Sequence, residues 1–307
     1  MTTLHQPILV EPIVQALLEP FRRLPPDAPP HFILDCTLGG GGHSAALLNA
    51  LACDPQCSRH GLLAVDQDQD AVDRAHQRFA EWIAQGKMEI RHGRFADAFD
   101  LFAGKRVLGL LADLGFSSDQ LNLADRGLSF QSKGPLDMRL DPSQGESAQE
   151  LLRRVSQNEL ERILEEFGEE RFARRIAGAI VERRRLGELP TTTQALVEVI
   201  VRAIPPGARH GRIHVATRTF QALRIAVNQE LEQLDQLLSR GLPQVVVGGR
   251  AAIISFHSLE DRRVKVYFKQ ESQFQSLTKK PIQPDEAEIR SNSRARSAKL
   301  RIAERVV

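Results

Sequence analysis

The sequence predicts an α/β fold, a Rossmann-like parallel sheet flanked by helices and interrupted by an all-helical segment. Three observations predict it. The first third of the chain alternates apolar runs with helix-like segments, which is typical of parallel strands joined by right-handed crossovers. Four consecutive glycines, Gly39 to Gly42, separate the first apolar run from the first helix-like segment. Between about Ser147 and Ile204 every segment has helical spacing, without the alternation that strands show.

The elements of the α/β part follow in order along the chain. The predicted strands are HFILDCT (31–37), GLLAVDQD (61–68), KMEIRHG (87–93), VLGLLADLG (107–115), RAAIISFHS (250–258) and AKLRIAERV (298–306). The fourth of these is apolar throughout, as a strand buried on both faces of its sheet should be. The predicted helices are 43–51, 69–83, 216–238 and the segment LEDRRVKVYF. Residues 272–297 are polar and low in apolar content, so we expect a long surface loop there.

The helical segment has its own start and stop signals. Ser156 is a predicted N-cap, Gly168 a predicted stop, and Pro205 and Pro206 close the last helix. We therefore expect a discontinuous α/β domain made of residues 1–128 and 213–307. Residues 129–212 would form a helical insertion within it.

Composition excludes several classes of protein. The 307 residues are 42% hydrophobic and 26% charged with a net charge of +2, which is typical of a soluble globular protein whose nucleic-acid partner, if any, meets a local patch. The three cysteines, Cys36, Cys53 and Cys57, lack a second ligand pair, so we expect free thiols in a reducing compartment and no metal site. We see no signal peptide and no apolar run of about 18 residues. We therefore expect a cytoplasmic protein that does not bind membranes.

The glycine turn points to a nucleotide-like ligand, because ligands of open α/β sheets bind at the carboxyl ends of the strands. For a dinucleotide fingerprint, Gly39 and Gly41 fit but Ser44 stands at the third glycine position. A phosphate-binding P-loop is excluded, because no Lys-Ser or Lys-Thr follows the glycines. S-adenosylmethionine is the remaining α/β cofactor of this kind.

Three further residues fit a site for S-adenosylmethionine. Asp66 ends the second strand, where a carboxylate can accept hydrogen bonds from two ribose hydroxyls. Phe95 follows the third strand and offers a surface for adenine, and Asp113 closes the fourth strand near the methyl group. The alternatives are a merely flexible glycine loop, Asp66 as a helix N-cap and Phe95 as core packing. Their joint position at successive strand ends favours the cofactor site.

Several motifs carry a closer resemblance, which runs nearly end to end and in the same order. They are TLGGGGHS, AVDQD, ADLGFSSDQL, RGLSFQSKGPLDMRLD, ATRTFQALRIAVN, SFHSLEDRRVK and RARSAKLRIAER. On these motifs the chain resembles the MraW family of bacterial small-subunit ribosomal RNA cytosine-N4-methyltransferases. The resemblance implies an enzyme that uses S-adenosylmethionine to methylate a cytidine N4 in the decoding region, with a helical domain inserted after the fourth strand for substrate recognition.

The family's cofactor site carries over by motif. It would consist of Gly41, Gly42, His43, Asp66, Phe95, Asp113 and Gln120. The chain departs from the family pattern at PQVVV before Gly248 and at NSRARS in the tail, both outside the cofactor segments.

The chemistry concentrates on the end of the fourth strand. An exocyclic amine is a poor nucleophile, and DNA amino-methyltransferases position it with an Asp/Asn/Ser-Pro-Pro-aromatic turn. Here the same place reads Asp113-Leu114-Gly115-Phe116. Asp113 would accept an N–H of the amine as a tentative catalytic residue, or would contact only the cofactor, while Phe116 would stack on the base. His43 is open between cofactor packing and general-base work, and the role of His257 stays open.

The expected partner is small-subunit ribosomal RNA, within the assembled small subunit. The basic tail would contact its phosphates through Arg290, Arg294, Arg296, Lys299 and Arg301. Residues 132–141 would form a lid or shape the substrate site. The competing functions are a DNA amino-methyltransferase or a small-molecule methyltransferase, a non-catalytic RNA-binding or ribosome-assembly module, and, last, an NAD enzyme. The sequence leaves open whether the chain forms a homodimer.

Overall fold

The computed structural model describes residues 7–116, 124–211 and 213–307. The chain forms two compact units: the first is Met1–Gly115 with Leu231–Val307, and the second is Phe116–Glu230. These junctions lie at different positions from the expected ones.

The first unit contains one sheet of seven strands within the described residues. They are β1 Phe32–Asp35, β2 Gly61–Asp66, β3 Met88–His92, β4 Val107–Asp113, β5 Arg250–Ser255, β6 Phe274–Ser276 and β7 Lys299–Arg305. Their order is β3-β2-β1-β4-β5-β7-β6, with β7 antiparallel to both β5 and β6 and all other pairs parallel. The strand order runs outward from β1 to β3 on one side and from β4 onward on the other. The switch point between β1 and β4 is where a doubly wound sheet opens a crevice for ligands. The predicted Rossmann-like α/β fold is confirmed.

Helices accompany the sheet on both sides. In the part of the first unit that precedes β4 they are α1 Val10–Arg22, α2 Gly42–Cys53, α3 Gln69–Arg78, α4 Ala80–Ala84 and α5 Ala98–Leu101. Both faces of the sheet are buried, because successive residues of one strand enter two separate cores. Ile33 and Leu62 belong to one core, and their neighbours Leu34 and Leu63 to the other. This explains why the strands read as continuous apolar runs.

The second unit holds five consecutive helices among its described residues. They are α6 Ala148–Arg154, α7 Gln157–Gly168, α8 Ala173–Arg185, α9 Thr193–Ala203 and α10 Thr217–Asn228. Ser156 caps α7 by accepting the Glu159 N–H at 3.2 Å, and the helix ends at Gly168, as predicted. A Cβ at Gly168 would lie 2.6 Å from the Arg218 carbonyl oxygen, so a glycine is needed where α10 approaches α7.

The segment 132–141 belongs to the second unit and is anchored there. Leu136 and Met138 are buried in its core. The Asn228 side chain accepts from the Leu140 N–H and donates to the Met138 carbonyl, both at 2.8 Å. Arg139 forms a two-pronged ion pair with Asp137. The lid hypothesis for this segment stays a prediction.

The chain completes the first unit with α11 Glu230–Gln236, a π-helical turn at Leu237–Gly241, α12 Ser258–Gln270 and α13 Glu286–Ser291. Two expectations are wrong here, and one helix is new. The expected helix 216–238 is broken at Gln229, whose φ of 52° is left-handed. The expected loop 272–297 contains β6, α13 and a 3₁₀ turn at Ser293–Ser297. The helix α1 was not expected at all.

Candidate active site

Three carboxylates meet the same edge of the sheet. Asp35 ends β1, Asp66 ends β2 and Asp113 ends β4. These strands are neighbours and run parallel, so their carboxyl ends lie side by side. Asp113 and Asp66 were expected there, whereas Asp35 was not singled out.

The glycine turn is fastened to Asp66. Its Oδ2 accepts the Gly39 N–H at 2.7 Å, and its Oδ1 accepts the Asp68 N–H at 2.8 Å. Burial raises the pKa of Asp66 to about 6, although these two N–H groups act in the opposite direction. Asp66 is not the N-cap of α3: Asp68 is, and its side chain accepts the Asp70 N–H. Because each carboxylate oxygen has two lone pairs, Asp66 keeps acceptor positions for the hydroxyls of a ribose.

Two of the glycines lie close against neighbouring side chains. Gly41 has φ +72°, and a Cβ there would lie 2.7 Å from the Phe79 ring. A Cβ at Gly42 would lie 3.0 Å from the ring of Pro7. The tight turn therefore arises from packing of the protein on itself, and any ligand lying against it meets a backbone that is already held.

Asp113 carries an unsatisfied oxygen. Its backbone N–H donates to Thr37 Oγ1 at 2.6 Å, and its Oδ2 lies 3.6 Å from His43 Nδ1. Its Oδ1 is buried and has no hydrogen-bond partner among the described residues. Burial raises the pKa of Asp113 to about 6. A buried carboxylate oxygen without a donor is unfavourable by itself, and a ligand N–H would satisfy it.

His43 is held on its other side by the N-terminal segment. Its Nε2 lies 2.8 Å from the Ile8 carbonyl oxygen, and the side chain is only 8% exposed. A carbonyl only accepts, so Nε2 carries the hydrogen. The remaining nitrogen, Nδ1, is the one that faces Asp113.

Asp35 is a buried carboxylate at this edge of the sheet that sequence reasoning did not single out. Ser44 Oγ donates to its Oδ2 at 2.6 Å, and the Thr37 N–H donates to its Oδ1 at 3.1 Å. Burial raises the pKa of this carboxyl as well. The available signal was an acid at a strand end, followed nine residues later by a serine at the start of a helix. Ser44 had been considered only as a mismatch to the glycine fingerprint.

Phe95 lies where it was expected, directly after β3. It begins a 3₁₀ turn, Phe95–Asp97, and packs against one of the two sheet cores while staying partly exposed. The Gly93 N–H donates to the Asp66 carbonyl oxygen at 2.9 Å, which holds this segment beside the end of β2. Gln120 lies outside the described residues.

The basic tail is divided by the structure. Arg301 is buried, and its Nε donates to Asp261 Oδ1 at 2.7 Å, while Lys299 Nζ lies 3.3 Å from Asp261 Oδ2. Arg296 is exposed, whereas the side chain of Arg294 lies outside the described part. The expectation of a phosphate contact is wrong for Arg301, because its guanidinium is buried against a carboxylate.

The structure shows the surroundings of Phe116 and His257, two residues that the sequence analysis singled out. Phe116 has the Arg224 guanidinium 4.7 Å from its ring centroid, so one ring face is already covered. His257 stands at the N-cap of α12, where its Nε2 lies 3.1 Å from Glu260 Oε1. Glu260 Oε2 also accepts the N–H groups of Phe256 and His257. This arrangement gives His257 a structural place at the start of α12.

The residues present fit S-adenosylmethionine. The buried Asp113 Oδ1, to which no described residue donates, suits an N–H group, and Asp66 retains acceptor positions for a ribose. Phe95 stays partly exposed beside β2 and offers an apolar surface to a base. Taken together, these groups can bind a nucleoside with a cationic or amine-bearing arm. In the part of the chain that the structure describes, no helix is both long enough and apolar enough to cross a membrane.

Comparisons with known proteins show the family of the chain. A family model described as the MraW methylase family matches residues 2–306. A relative from Synechococcus sp. (strain JA-2-3B'a(2-13)), named ribosomal RNA small subunit methyltransferase H, is 49% identical over 89% of this chain and 85% of its own length. A relative of the same name from Synechococcus sp. (strain JA-3-3Ab) is 47% identical over 98% and 94%. A solved structure described as a putative rRNA-methylase from Clostridium thermocellum is 10% identical, covers 90% and 89% of the two chains, and has a TM-score of 0.42.

Proposed function

Because the chain belongs to the MraW methylase family, we propose that it transfers a methyl group to the exocyclic N4 of a cytidine in the decoding region of small-subunit ribosomal RNA. The methyl donor is S-adenosylmethionine, and the chain is a methyltransferase that depends on it. The observation that carries the proposal is the buried Oδ1 of Asp113 at the carboxyl end of β4, which has no hydrogen-bond partner within the described residues.

The cofactor would be held by the edge of the sheet between β3 and β4. Asp66 would accept the ribose hydroxyls, Phe95 would lie against the adenine, and the turn Gly41–His43 would follow the amino-acid arm. Gln120, which the family resemblance assigns to the same site, belongs to this proposal as well. When bound, S-adenosylmethionine supplies an electrophilic methyl group on a sulfonium.

Asp113 has the task that an exocyclic amine demands. The lone pair of a cytosine amine is delocalised into the ring, so the amine must be positioned and its N–H must be bound. Asp113 Oδ1 would accept that N–H, and the anionic carboxylate would stabilise the positive charge that develops on nitrogen during transfer. Attack by nitrogen needs no covalent intermediate with the protein, which leaves no task for the cysteines.

The substrate must reach this site as an unstacked base, because chemistry on a base edge inside folded RNA requires exposure. We propose that the assembled small subunit is the substrate and that the second unit recognises it. Arg296 and Lys299 would bind phosphates, and Phe116 would stack on the base. The enzyme would act in the cytoplasm, where small subunits are assembled.

The test offers methyl-labelled S-adenosylmethionine with unmodified small subunits, naked small-subunit RNA or DNA, and analyses the nucleosides by mass. The expected product is N4-methylcytidine from the subunit, and Asp113→Asn should reduce its rate at least 100-fold, at the level of a lost electrostatic group. An exposed control, Asp73→Asn, should leave the rate unchanged. Label in DNA alone would make the chain a DNA amino-methyltransferase. RNA binding without label from any substrate would make it a ribosome-assembly module.

A further inference from the structure

We propose that His43 is a positioning residue that acts through Asp113: its imidazole keeps the Asp113 carboxylate ionised and oriented for the transfer step. The inference rests on the proposed function and goes beyond it, because it gives His43 a task that neither contact with the cofactor nor packing would require.

The His43 ring is oriented with Nδ1 toward Asp113. The Ile8 carbonyl takes the hydrogen of His43 Nε2 at 2.8 Å, which leaves Nδ1 for Asp113 Oδ2 at 3.6 Å. This separation is too long for a hydrogen bond and short enough for a strong charge interaction in a buried site. Two lone pairs facing each other here would repel. A positive charge on the imidazole removes this repulsion and favours the ionised carboxylate of Asp113.

The charged groups around His43 and Asp113 affect whether Asp113 is ionised. His43 favours the ionised form of Asp113, whereas the neighbouring carboxylates Asp35 and Glu260 oppose it. His43 also favours the ionised form of Asp35. It is thus a potential cation between the carboxylates at the ends of β1 and β4. Without His43, burial and the neighbouring negative charges would raise the pKa of Asp113 further, so the carboxylate would be protonated at a higher pH.

The His43 ring is also held in place, so it cannot easily turn away from Asp113. The Ile8 carbonyl belongs to a strap, residues 7–9, whose two ends are fixed separately. The Pro7 ring packs against Gly42, and the Leu9 N–H donates to Glu288 Oε1 at 2.6 Å. The ring is 8% exposed and the Asp113 side chain 14%. A histidine needed only to fill space would not require an acceptor for one nitrogen and a carboxylate for the other.

The experiment compares His43→Gln with the native chain and with His76→Gln, an exposed histidine of α3. The glutamine amide can still donate to the Ile8 carbonyl, but it carries no positive charge. In protein labelled with ¹³C at aspartate carboxyls, without cofactor or RNA, the Asp113 signal is identified by its loss in Asp113→Asn. We expect its titration midpoint to rise by roughly one pH unit in His43→Gln and to stay in place in His76→Gln.

Activity gives the second readout. On unmodified small subunits, the acid limb of kcat should move to higher pH by the same amount in His43→Gln. Below the limb this is a loss of about tenfold, since one pH unit changes the ionised fraction tenfold, while KM for RNA should change little. An unchanged Asp113 midpoint, or an equal loss of kcat at every pH, would overturn the inference.

Failure of the proposed function has a different signature, because the native chain would then methylate no cytidine while the carboxyl titration could still shift. If His43→Gln does not fold, the native protein still decides. Its ¹⁵N-imidazole spectrum must show the hydrogen on Nε2 of His43 whenever the ring is neutral. A neutral ring with its hydrogen on Nδ1 would overturn the inference.

Discussion

Ser44 Oγ donates a 2.6 Å hydrogen bond to Asp35 Oδ2, joining the first turn of α2 to the end of β1 beneath the glycine turn. Both side chains are buried, with Ser44 0% and Asp35 1% exposed. The helix that begins at the glycines is thereby fixed to the strand that precedes them. The turn between them is held at both ends, before any ligand arrives.

Removing this hydroxyl should destabilise the fold. Ser44→Ala leaves one oxygen of a buried carboxyl without its donor, so we expect a loss of about 1–3 kcal/mol in the free energy of unfolding. Urea denaturation at pH 7.5 measures it. The control is Ser58→Ala, whose exposed Oγ lies 3.4 Å from the Pro55 carbonyl oxygen and should contribute little. Equal midpoints for the two variants would contradict the prediction.

Gly41 and Gly86 allow backbone strain to be separated from packing. Both have positive φ, +72° and +68°, but a Cβ at Gly86 meets nothing within 4 Å whereas one at Gly41 meets the Phe79 ring at 2.7 Å. Gly86→Ala should cost about 1–2 kcal/mol for the left-handed conformation alone. Gly41→Ala should cost about 1–3 kcal/mol more from overpacking. Thermal unfolding of both variants checks the difference, which would vanish if the Phe79 ring moved freely aside.

Acid should weaken the fold at the opposite end of the sheet. His60 Nδ1 accepts the His31 N–H at 3.1 Å, and burial lowers the pKa of His60 from 6.5 to about 4. Between these values the unfolded chain binds the proton and the folded chain does not. This contribution is therefore full above pH 6.5 and lost as the pH falls toward 4, by up to about 3 kcal/mol.

The measurement is the urea midpoint of the native chain and of His60→Gln from pH 7.5 to 4.5. The gap in stability between the two should narrow as the pH falls, because glutamine does not titrate. A gap of constant size would show that His60 does not resist protonation in the folded state.

Cofactor binding should depend on the ionisation of Asp66. Burial raises the pKa of Asp66 to about 6, so the carboxylate that would accept ribose hydroxyls is present above that pH and protonated below it. Calorimetric titration with S-adenosylmethionine should show weaker binding below pH 6. Asp66→Asn should weaken binding about tenfold or more at pH 7.5, the loss of a charged hydrogen bond. Asp73→Asn, in the exposed part of α3, should bind as the native chain does.

Two tail arginines should behave in opposite ways. Arg301→Ala leaves the buried Asp261 with only Lys299, 3.3 Å away, so we expect a loss of about 1–3 kcal/mol in the free energy of unfolding. Arg296→Ala should leave the urea midpoint unchanged. It should instead weaken RNA binding and lower the slope of log affinity against log salt by about one. RNA affinity at several salt concentrations, measured on folded protein, distinguishes the two, and equal effects on RNA binding would contradict the assignment.

The sequence predicts the site better than its surroundings, for physical reasons. Acids that follow buried apolar runs fall at strand ends, so Asp66 and Asp113 could be placed from pattern alone. The buried ion pair of Arg301 could not be predicted, because a basic residue on a predicted strand gives no sign that it faces an acid 40 positions away. The break at Gln229 is similarly hidden, since the apolar spacing continues through it. The elements β6 and α13 are too short and too polar to announce themselves by periodicity.

The strap at residues 7–9 has a consequence for how the protein is made. Leu9 is fixed by Glu288, 279 positions later, and β7 lies between β5 and β6 in the sheet. The strap is synthesised first, but it can be fixed only after residues near the C-terminal end have been synthesised. His43 can gain its helix and its glycine turn during synthesis, but the contact that fixes Leu9 forms only after α13 has emerged. A nascent chain that already contains the first four strands would therefore have this edge of the sheet before the strap that holds His43 is fixed. Methylation competence should then arise close to the end of translation.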